Sequence, residues 1–148
     1  MSLVDPEEFA HFTRLKQLGL PRVAELIMEL LKLDELNAIY DEFSDAPSAI
    51  DFADAVLDKL GIEVEVTPED LKRIPKTGPF ITVSNHPFGG IDGVILIKLL
   101  AERRPDFKVM ANFLLERIKP FREHFISVNP FENAKQVKSN VSGLRAAM

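Results

Sequence analysis

One stretch of the sequence decides the fold: Phe80-Ile81-Thr82-Val83-Ser84-Asn85-His86-Pro87-Phe88-Gly89-Gly90-Ile91-Asp92-Gly93. The mostly apolar run at its start predicts a buried strand. A short connection with a histidine and two glycines follows, and Asp92 stands where an apolar helix is expected to begin. Open α/β sheets bind their ligands at the carboxyl ends of their strands, so the sequence predicts a site on this connection.

His86 and Asp92 are the candidate catalytic residues. A histidine with a nearby carboxylate is the smallest set that removes a proton from a hydroxyl or an amine, because the carboxylate fixes the ring tautomer and stabilises the imidazolium. No serine or cysteine occupies an obvious nucleophile position, which favours direct attack by the substrate's own hydroxyl or amine. Simpler interpretations stay open, with Asp92 as a helix N-cap and His86 as a polar residue at a strand end.

Two other kinds of site fit the same connection less well. A metal site lacks a third ligand with suitable spacing, and the chain has no cysteine. Glycines at a helix start can also cradle a phosphate, but neither the P-loop nor the dinucleotide fingerprint is present.

Residues 85–93 resemble the first motif of the glycerolipid acyltransferases, the superfamily of glycerol-3-phosphate and lysophosphatidate acyltransferases. The usual motif has four residues between His and Asp, whereas this chain has five, as in the Pro-Phe-Gly-Gly variant of a bacterial branch labelled as hemolysins. The resemblance implies that His86 acts as base on the acceptor and that Asp92 orients it. It also implies an acyl-CoA or acyl carrier protein thioester as co-substrate, with no bound cofactor and no metal.

The resemblance extends to residues 125–131, where the second block of the superfamily lies. That block commonly ends in an arginine that holds the phosphate of the acceptor, but Asn129 and Pro130 stand in that region here. This difference favours an acceptor without a phosphate monoester, although glycerol-3-phosphate, a lyso-phospholipid and an N-acylated amino acid all stay open. Basic residues near the block could take the place of this arginine, although a solvated surface charge is the simpler interpretation of each. They are Lys108, Arg117, Lys119 and Arg122. The candidate substrate-binding residues are Asn85, Phe88, Gly89, Gly90, Lys108, Asn112, Arg117, Lys119 and Asn129.

The composition indicates a globular chain and narrows its partners. Hydrophobic residues make up 46% of the 148 residues, too many for a disordered segment. A net charge of -5 argues against a nucleic-acid binder with a broad basic face. Without cysteine there are no disulfides and no thiol catalysis. We expect a cytoplasmic protein, peripheral on the inner face of the membrane where its lipid acceptor lies.

The pattern predicts an α/β fold in which an N-terminal helical bundle precedes a largely parallel sheet with helices on its faces, similar to the glycerol-3-phosphate acyltransferases. Residues 1–61 carry apolar stripes at helical spacing, and an amphipathic membrane-binding surface is the alternative to a bundle. In residues 62–148 strands alternate with helices. The strands are predicted at 62–66, 80–84, 107–111 and 125–128, and the helices at 68–74, 93–103, 113–119 and 133–148.

The third block of the superfamily is absent, so residues 62–148 are expected to be the N-terminal part of an acyltransferase α/β domain. A sheet truncated in this way has an open edge, which predicts a homodimer. The function implied is transfer of a fatty acyl group to a lyso-lipid or related acceptor in phospholipid biosynthesis. Two alternatives stay open, a non-catalytic module that binds lipid or a partner, and a hydrolase in which His86 activates water.

Overall fold

The computed structural model describes residues 33–128 and Arg145, and the chain divides into two compact units, residues 1–45 and 46–148. In the first unit, helix α1 spans Leu33–Phe43. The sequence predicts Asp34 as the cap of this helix, but Asp34 is its second residue, where a carboxylate interacts favourably with the helix dipole. The domain boundary at residue 61 stays a prediction.

Two helices of the second unit start at side-chain caps, of which the sequence predicts Thr67. Helix α2 spans Ala49–Lys59, and the Ser48 hydroxyl accepts the Asp51 N–H at 3.1 Å. The short helix α3 spans Pro68–Arg73, and the Thr67 hydroxyl accepts the Asp70 N–H at 3.1 Å. Each cap satisfies an amide that has no partner within its helix.

The site helix and the sheet follow. Helix α4 spans Gly90–Ala101 and starts three residues before the predicted position, because the chain already turns at Gly89, whose φ of 62° suits glycine. Strands β1 (Val109–Asn112) and β2 (Phe125–Val128) pair in parallel, with Val109 opposite Phe125. Parallel pairing is what an α/β fold requires, so the structure is compatible with the predicted class.

The connection between β1 and β2 differs from the predicted helix at 113–119. It consists of two 3-10 helices, Phe113–Arg117 and Lys119–His124. Pro120 lies in the first turn of the second one. Proline has no amide hydrogen and disfavours an α conformation at the residue before it, so Pro120 accounts for the end of the predicted helix at Lys119 but not for the 3-10 form of Phe113–Arg117.

The predicted strands at 62–66 and 80–84 are wrong for the structure that is described. Both segments lack strand pairing, and the sheet of the described residues has two strands. Side chains in 62–66 do alternate between half-buried and exposed, as the sequence pattern predicts. A strand also needs a partner for its backbone amides and carbonyls, and neither segment has a strand partner within residues 33–128.

The core of the second unit forms where α2 and α4 pack on each other and on the second 3-10 helix. Phe121, 1% exposed, meets Phe52 edge-to-face at a centroid distance of 5.0 Å and Phe125 at 6.0 Å. An ion pair between Asp54 and Lys98 also joins α2 to α4. The C-terminal half of α4 is therefore anchored in the core, and its first turn leads back to the site. The other buried apolar residues of this unit are Ala49, Ala53, Val56, Leu57, Ile97, Leu100, Ala101 and Ala111.

Parts of three predictions lie outside the described residues: the apolar stripes before residue 33, the end of the second block at Asn129 and Pro130, and, except for Arg145, the helix at 133–148.

Candidate active site

The structure brings the two predicted catalytic residues together. His86 Nδ1 lies 3.3 Å from Asp92 Oδ2. The histidine side chain is 61% exposed and the aspartate 18%. Because Nδ1 faces the carboxylate, Nε2 is the ring nitrogen that an incoming hydroxyl or amine can reach. The arrangement suits a general base whose imidazole ring is oriented by a carboxylate at Nδ1.

Asp92 has a second task in the same place. Its Oδ2 atom accepts the backbone N–H of Phe88 at 2.8 Å, which closes the turn between His86 and α4. The N-cap position of α4 belongs to Gly89, and Asp92 lies in the first helical turn. The interpretation of Asp92 as an N-cap is therefore wrong in detail, although the carboxylate does tie the helix start. One oxygen atom thus holds both the turn and the imidazole.

The glycines of the turn leave the helix start open. Gly89 has φ 62° and ψ −124°, a conformation that other residues rarely adopt. A Cβ atom built at Gly89, Gly90 or Gly93 would meet nothing within 4 Å. The first amides of an α-helix have no partner within the helix, and α4 begins four residues after His86. The Phe88 amide is not among them, because it donates to Asp92.

Large apolar side chains are exposed on both sides of His86 along the chain. Ile81 is 92% exposed, Val83 93% and Phe88 77%. Isolated exposed apolar residues are ordinary on a protein surface. Here three of them fall within residues 81–88, on the segment that carries the candidate base.

The remaining predicted binding residues fall into two groups. Asn85 is exposed beside His86. The others belong to the β1–β2 part: Asn112 ends β1, Arg117 ends the first 3-10 helix, Lys119 starts the second, and the Lys108 ammonium donates to the Glu123 carbonyl. Asn129 lies outside the described residues. No described contact joins Lys108 or Lys119 to the catalytic pair, so their role in binding substrate stays a prediction.

Arg104 was missed by sequence reasoning. It is 8% exposed, and its guanidinium forms a two-point ion pair with Asp106, with Nε–Oδ1 2.7 Å and Nη2–Oδ2 2.6 Å. These hydrogen bonds hold the pKa of the Asp106 carboxyl below its ordinary value. Arg104 also contacts Pro75 and Gly78, which lie just before residues 80–88, the segment that carries His86 (the His86 segment). The signal in the sequence was weak, an arginine between a charged residue and a proline at the end of a helix.

Within residues 33–128, no group of three or more acidic, histidine or cysteine side chains is arranged to hold a metal ion. None of the described helices is both long enough and apolar enough to cross a membrane.

Comparison with known proteins places the chain in a family. A sequence profile described as "Acyltransferase" matches residues 18–141. The chain belongs to this acyltransferase family. The match includes the His86–Asp92 segment, α4 and both strands, so it covers the whole described site.

Two curated relatives carry the same name. The chain is 33% identical over 118 residues to "Lyso-glycine lipid O-acyltransferase" of Bacteroides thetaiotaomicron, covering 78% of this chain and 41% of the relative. It is 30% identical over 112 residues to the protein of that name from Phocaeicola vulgatus, covering 74% and 39%. This acyltransferase-family chain therefore spans about two fifths of the length of those relatives. No solved structure matches it.

Proposed function

We propose that the natural protein carrying this sequence transfers a fatty acyl group from a thioester donor to a hydroxyl group of a lyso-lipid. The observation that supports the proposal is the 3.3 Å approach of His86 Nδ1 to Asp92 Oδ2 in a chain of the acyltransferase family. That geometry leaves Nε2 facing outward on an open surface, where a lipid hydroxyl has access.

The reaction follows from the roles of these groups. His86 Nε2 takes the proton of the acceptor hydroxyl as the oxygen attacks the thioester carbonyl carbon. Asp92 stabilises the imidazolium that forms and keeps the ring aimed at the acceptor. The tetrahedral intermediate then expels the thiolate, and the imidazolium returns the proton to the thiolate sulfur. An ester bond replaces the thioester bond, and the histidine is neutral again.

The negative charge on the tetrahedral oxygen needs donors nearby. The amides at the start of α4, those of Gly89 and Gly90, are the candidates, because both lie within four residues of His86 and the glycines bring no side chain between the backbone and a ligand. The Phe88 amide contributes indirectly, since its bond to Asp92 fixes the turn from which the other two amides project.

For the acceptor, we propose a lyso-lipid built on an amino acid rather than on glycerol phosphate. Two independent features support this choice. Both curated relatives are named for a lyso-glycine lipid and for transfer to oxygen. In this chain Asn129 and Pro130 stand where the resembling superfamily carries its phosphate-binding arginine. The donor is acyl-CoA or acyl carrier protein, and an acceptor of this kind places the reaction at the cytoplasmic membrane surface.

The test measures transfer from labelled acyl-CoA and from labelled acyl carrier protein to three acceptors, namely lyso-glycine lipid, lysophosphatidate and glycerol-3-phosphate. We expect product with the lyso-glycine lipid. His86→Ala is expected to lower kcat by at least about 100-fold, the lower end of what a general base contributes. Asp92→Asn keeps an oxygen for the Phe88 amide but loses the charge, and a smaller loss of kcat is expected.

His124→Gln is the matched control. His124 Nδ1 lies 2.9 Å from the Phe107 carbonyl at the start of the sheet, so this histidine supports the fold and its replacement should leave kcat of the folded protein unchanged. Equal turnover of the wild type and of His86→Ala would reject the catalytic assignment. Free fatty acid released without any acceptor would indicate a hydrolase. Acceptor binding without transfer by the well-folded wild type would indicate a binding module.

A further inference from the structure

Arg104 joins two parts of the chain that are far apart in sequence. Its backbone amide donates to the Leu100 carbonyl at 2.8 Å, which continues the winding of α4 up to this residue. Its Nη1 atom donates to the carbonyl oxygens of Pro75, at 3.2 Å, and Gly78, at 3.0 Å. Since Asp106 occupies Nε and Nη2, the guanidinium uses all three of its nitrogens.

The same guanidinium also fixes the first residue of the His86 segment. It lies over the Phe80 ring at 4.6 Å from the centroid, and Phe107 stacks with the same ring at a centroid distance of 6.1 Å. A cation over an aromatic face is attracted by the ring quadrupole. Phe80 is half-buried, whereas every residue from 81 to 88 is exposed. Phe80 is therefore the last residue of the approach to the site that packs on the body of the unit.

The lengths of the two paths between these anchors match. Twelve residues along α4 and its continuation separate Asp92 from Arg104, which is about 18 Å at 1.5 Å per residue. Six residues separate Phe80 from His86, and a fully extended chain of that length spans about 20–22 Å. The two lengths are compatible with a segment that runs nearly extended along α4, from the Arg104 end to the Asp92 end.

We propose that Arg104 is a positioning residue for His86, acting through Phe80 and the 75–78 turn. In this arrangement α4 is a rigid spacer with one anchor at each end, Asp92 for His86 and Arg104 for Phe80. If the Arg104 anchor is released, the segment gains slack, and the imidazole spends less time in the orientation that the reaction needs. The inference rests on the proposed acyl transfer, but the geometry of the segment can be measured without it.

The kinetic test compares Arg104→Gln and Arg104→Lys with Arg103→Gln, whose side chain is the half-buried neighbour in sequence. Misplacing a reacting group by about 1 Å costs about 100-fold in rate. We therefore expect kcat of the folded Arg104→Gln protein to fall by about 100-fold with little change in KM, and Arg103→Gln to match the wild type. Arg104→Lys keeps the charge but not the planar fork, so an intermediate kcat is expected. A merely structural role would lower the folded fraction and leave kcat of the folded fraction unchanged.

The geometric test uses spin labels, which attach at chosen positions because the chain has no cysteine. Asp58→Cys and Val83→Cys place labels at exposed sites on α2 and on the His86 segment. The distance distribution between them is expected to broaden with Arg104→Gln and to stay unchanged with Arg103→Gln. Arg104→Lys serves both tests if Arg104→Gln does not fold.

Unchanged kcat in both Arg104 variants, or an unchanged distance distribution, would overturn the positioning role. A broadened distribution in a protein whose wild type transfers no acyl group would instead reject the proposed function and keep the anchoring of the segment. The two failures are thus distinguishable.

Discussion

Around Phe121, rings from α2, the second 3-10 helix and β2 pack edge to face, and the central ring is 1% exposed. Between Ile81 and Phe88 every residue is exposed, and the side chains of Ile81 and Val83 are more than nine-tenths so. Apolar burial holds the first region, at roughly 25 cal/mol per Å². Such burial contributes little to the second region, although that region carries the candidate base, His86.

The difference separates stability from chemistry. The contacts at the two ends of the His86 segment are few: the Asp92 bonds on one side, and on the other the contacts of Phe80 with Arg104 and Phe107. Substitutions in the core should therefore change the free energy of unfolding. Substitutions in the segment should change turnover with little effect on unfolding.

The largest effect is expected for Phe121→Ala compared with Phe88→Ala. Removing a buried phenylalanine costs about 3–5 kcal/mol, because the lost ring leaves a cavity. Phe88 is 77% exposed, and its removal should change the free energy of unfolding by less than about 0.5 kcal/mol. Urea denaturation followed by circular dichroism measures both. Similar losses for the two variants would mean that Phe88 is covered in solution, which would remove the contrast between the regions.

A smaller loss is expected for Gly89→Ala, with Gly90→Ala as its control. An alanine at φ 62° and ψ −124° is strained, at a cost of about 1–3 kcal/mol. Gly90 is the first residue of α4 and a Cβ there meets nothing within 4 Å, so alanine should be neutral or stabilise by up to about 1 kcal/mol. Thermal unfolding of both variants checks the pair. If both were equally destabilised, crowding at the turn rather than backbone strain would be the cause.

Sequence reasoning succeeded where the structure depends on neighbours along the chain. The sequence predicts Thr67 as a helix cap and a helix start just after Ser48, and both hydroxyls accept an amide three residues further along the chain. His86 and Asp92 meet because a single turn separates them. Local geometry of this kind is set by a few consecutive residue types.

Sequence reasoning failed where the structure depends on a partner that is distant along the chain. The apolar run at 80–84 predicts a strand, but a strand forms only beside another, and no residue of the run specifies which one. Arg104 was missed for a related reason. Its partners in the 75–78 turn are backbone carbonyls, which every residue type provides, so no side-chain pattern marked them.

A still smaller effect is expected from acid on the Arg104–Asp106 pair. The pKa of Asp106 is lowered in the folded state, first by its hydrogen bonds to Arg104. The pair therefore stabilises the fold fully above the ordinary carboxyl pKa of 3.8, and the contribution is lost as the pH falls through the lower folded value. The Asp106 side chain is 66% exposed, so solvent screening keeps the effect small.

Urea unfolding of the wild type and of Asp106→Asn between pH 7 and pH 2 tests this. The difference in unfolding free energy should be constant down to about pH 4 and should shrink below it. A difference that persists at pH 2 would show that the asparagine acts through packing rather than through charge.

The smallest effect on the free energy of unfolding is expected for Val83→Lys. This variant tests whether a second copy of the chain covers the His86 segment in solution. Val83 is 93% exposed, so a lysine there should change the unfolding free energy by less than about 0.5 kcal/mol if nothing covers the segment. The predicted homodimer through an open edge would give a different result. A strand paired with a second copy would bury Val83, and a charge on that edge would oppose the pairing. Sedimentation and unfolding at several protein concentrations distinguish the cases, because a dimer held by this segment becomes less stable on dilution and a monomer does not. A concentration-dependent loss with Val83→Lys would mean that the open segment is one half of an interface, and that His86 lies at its end.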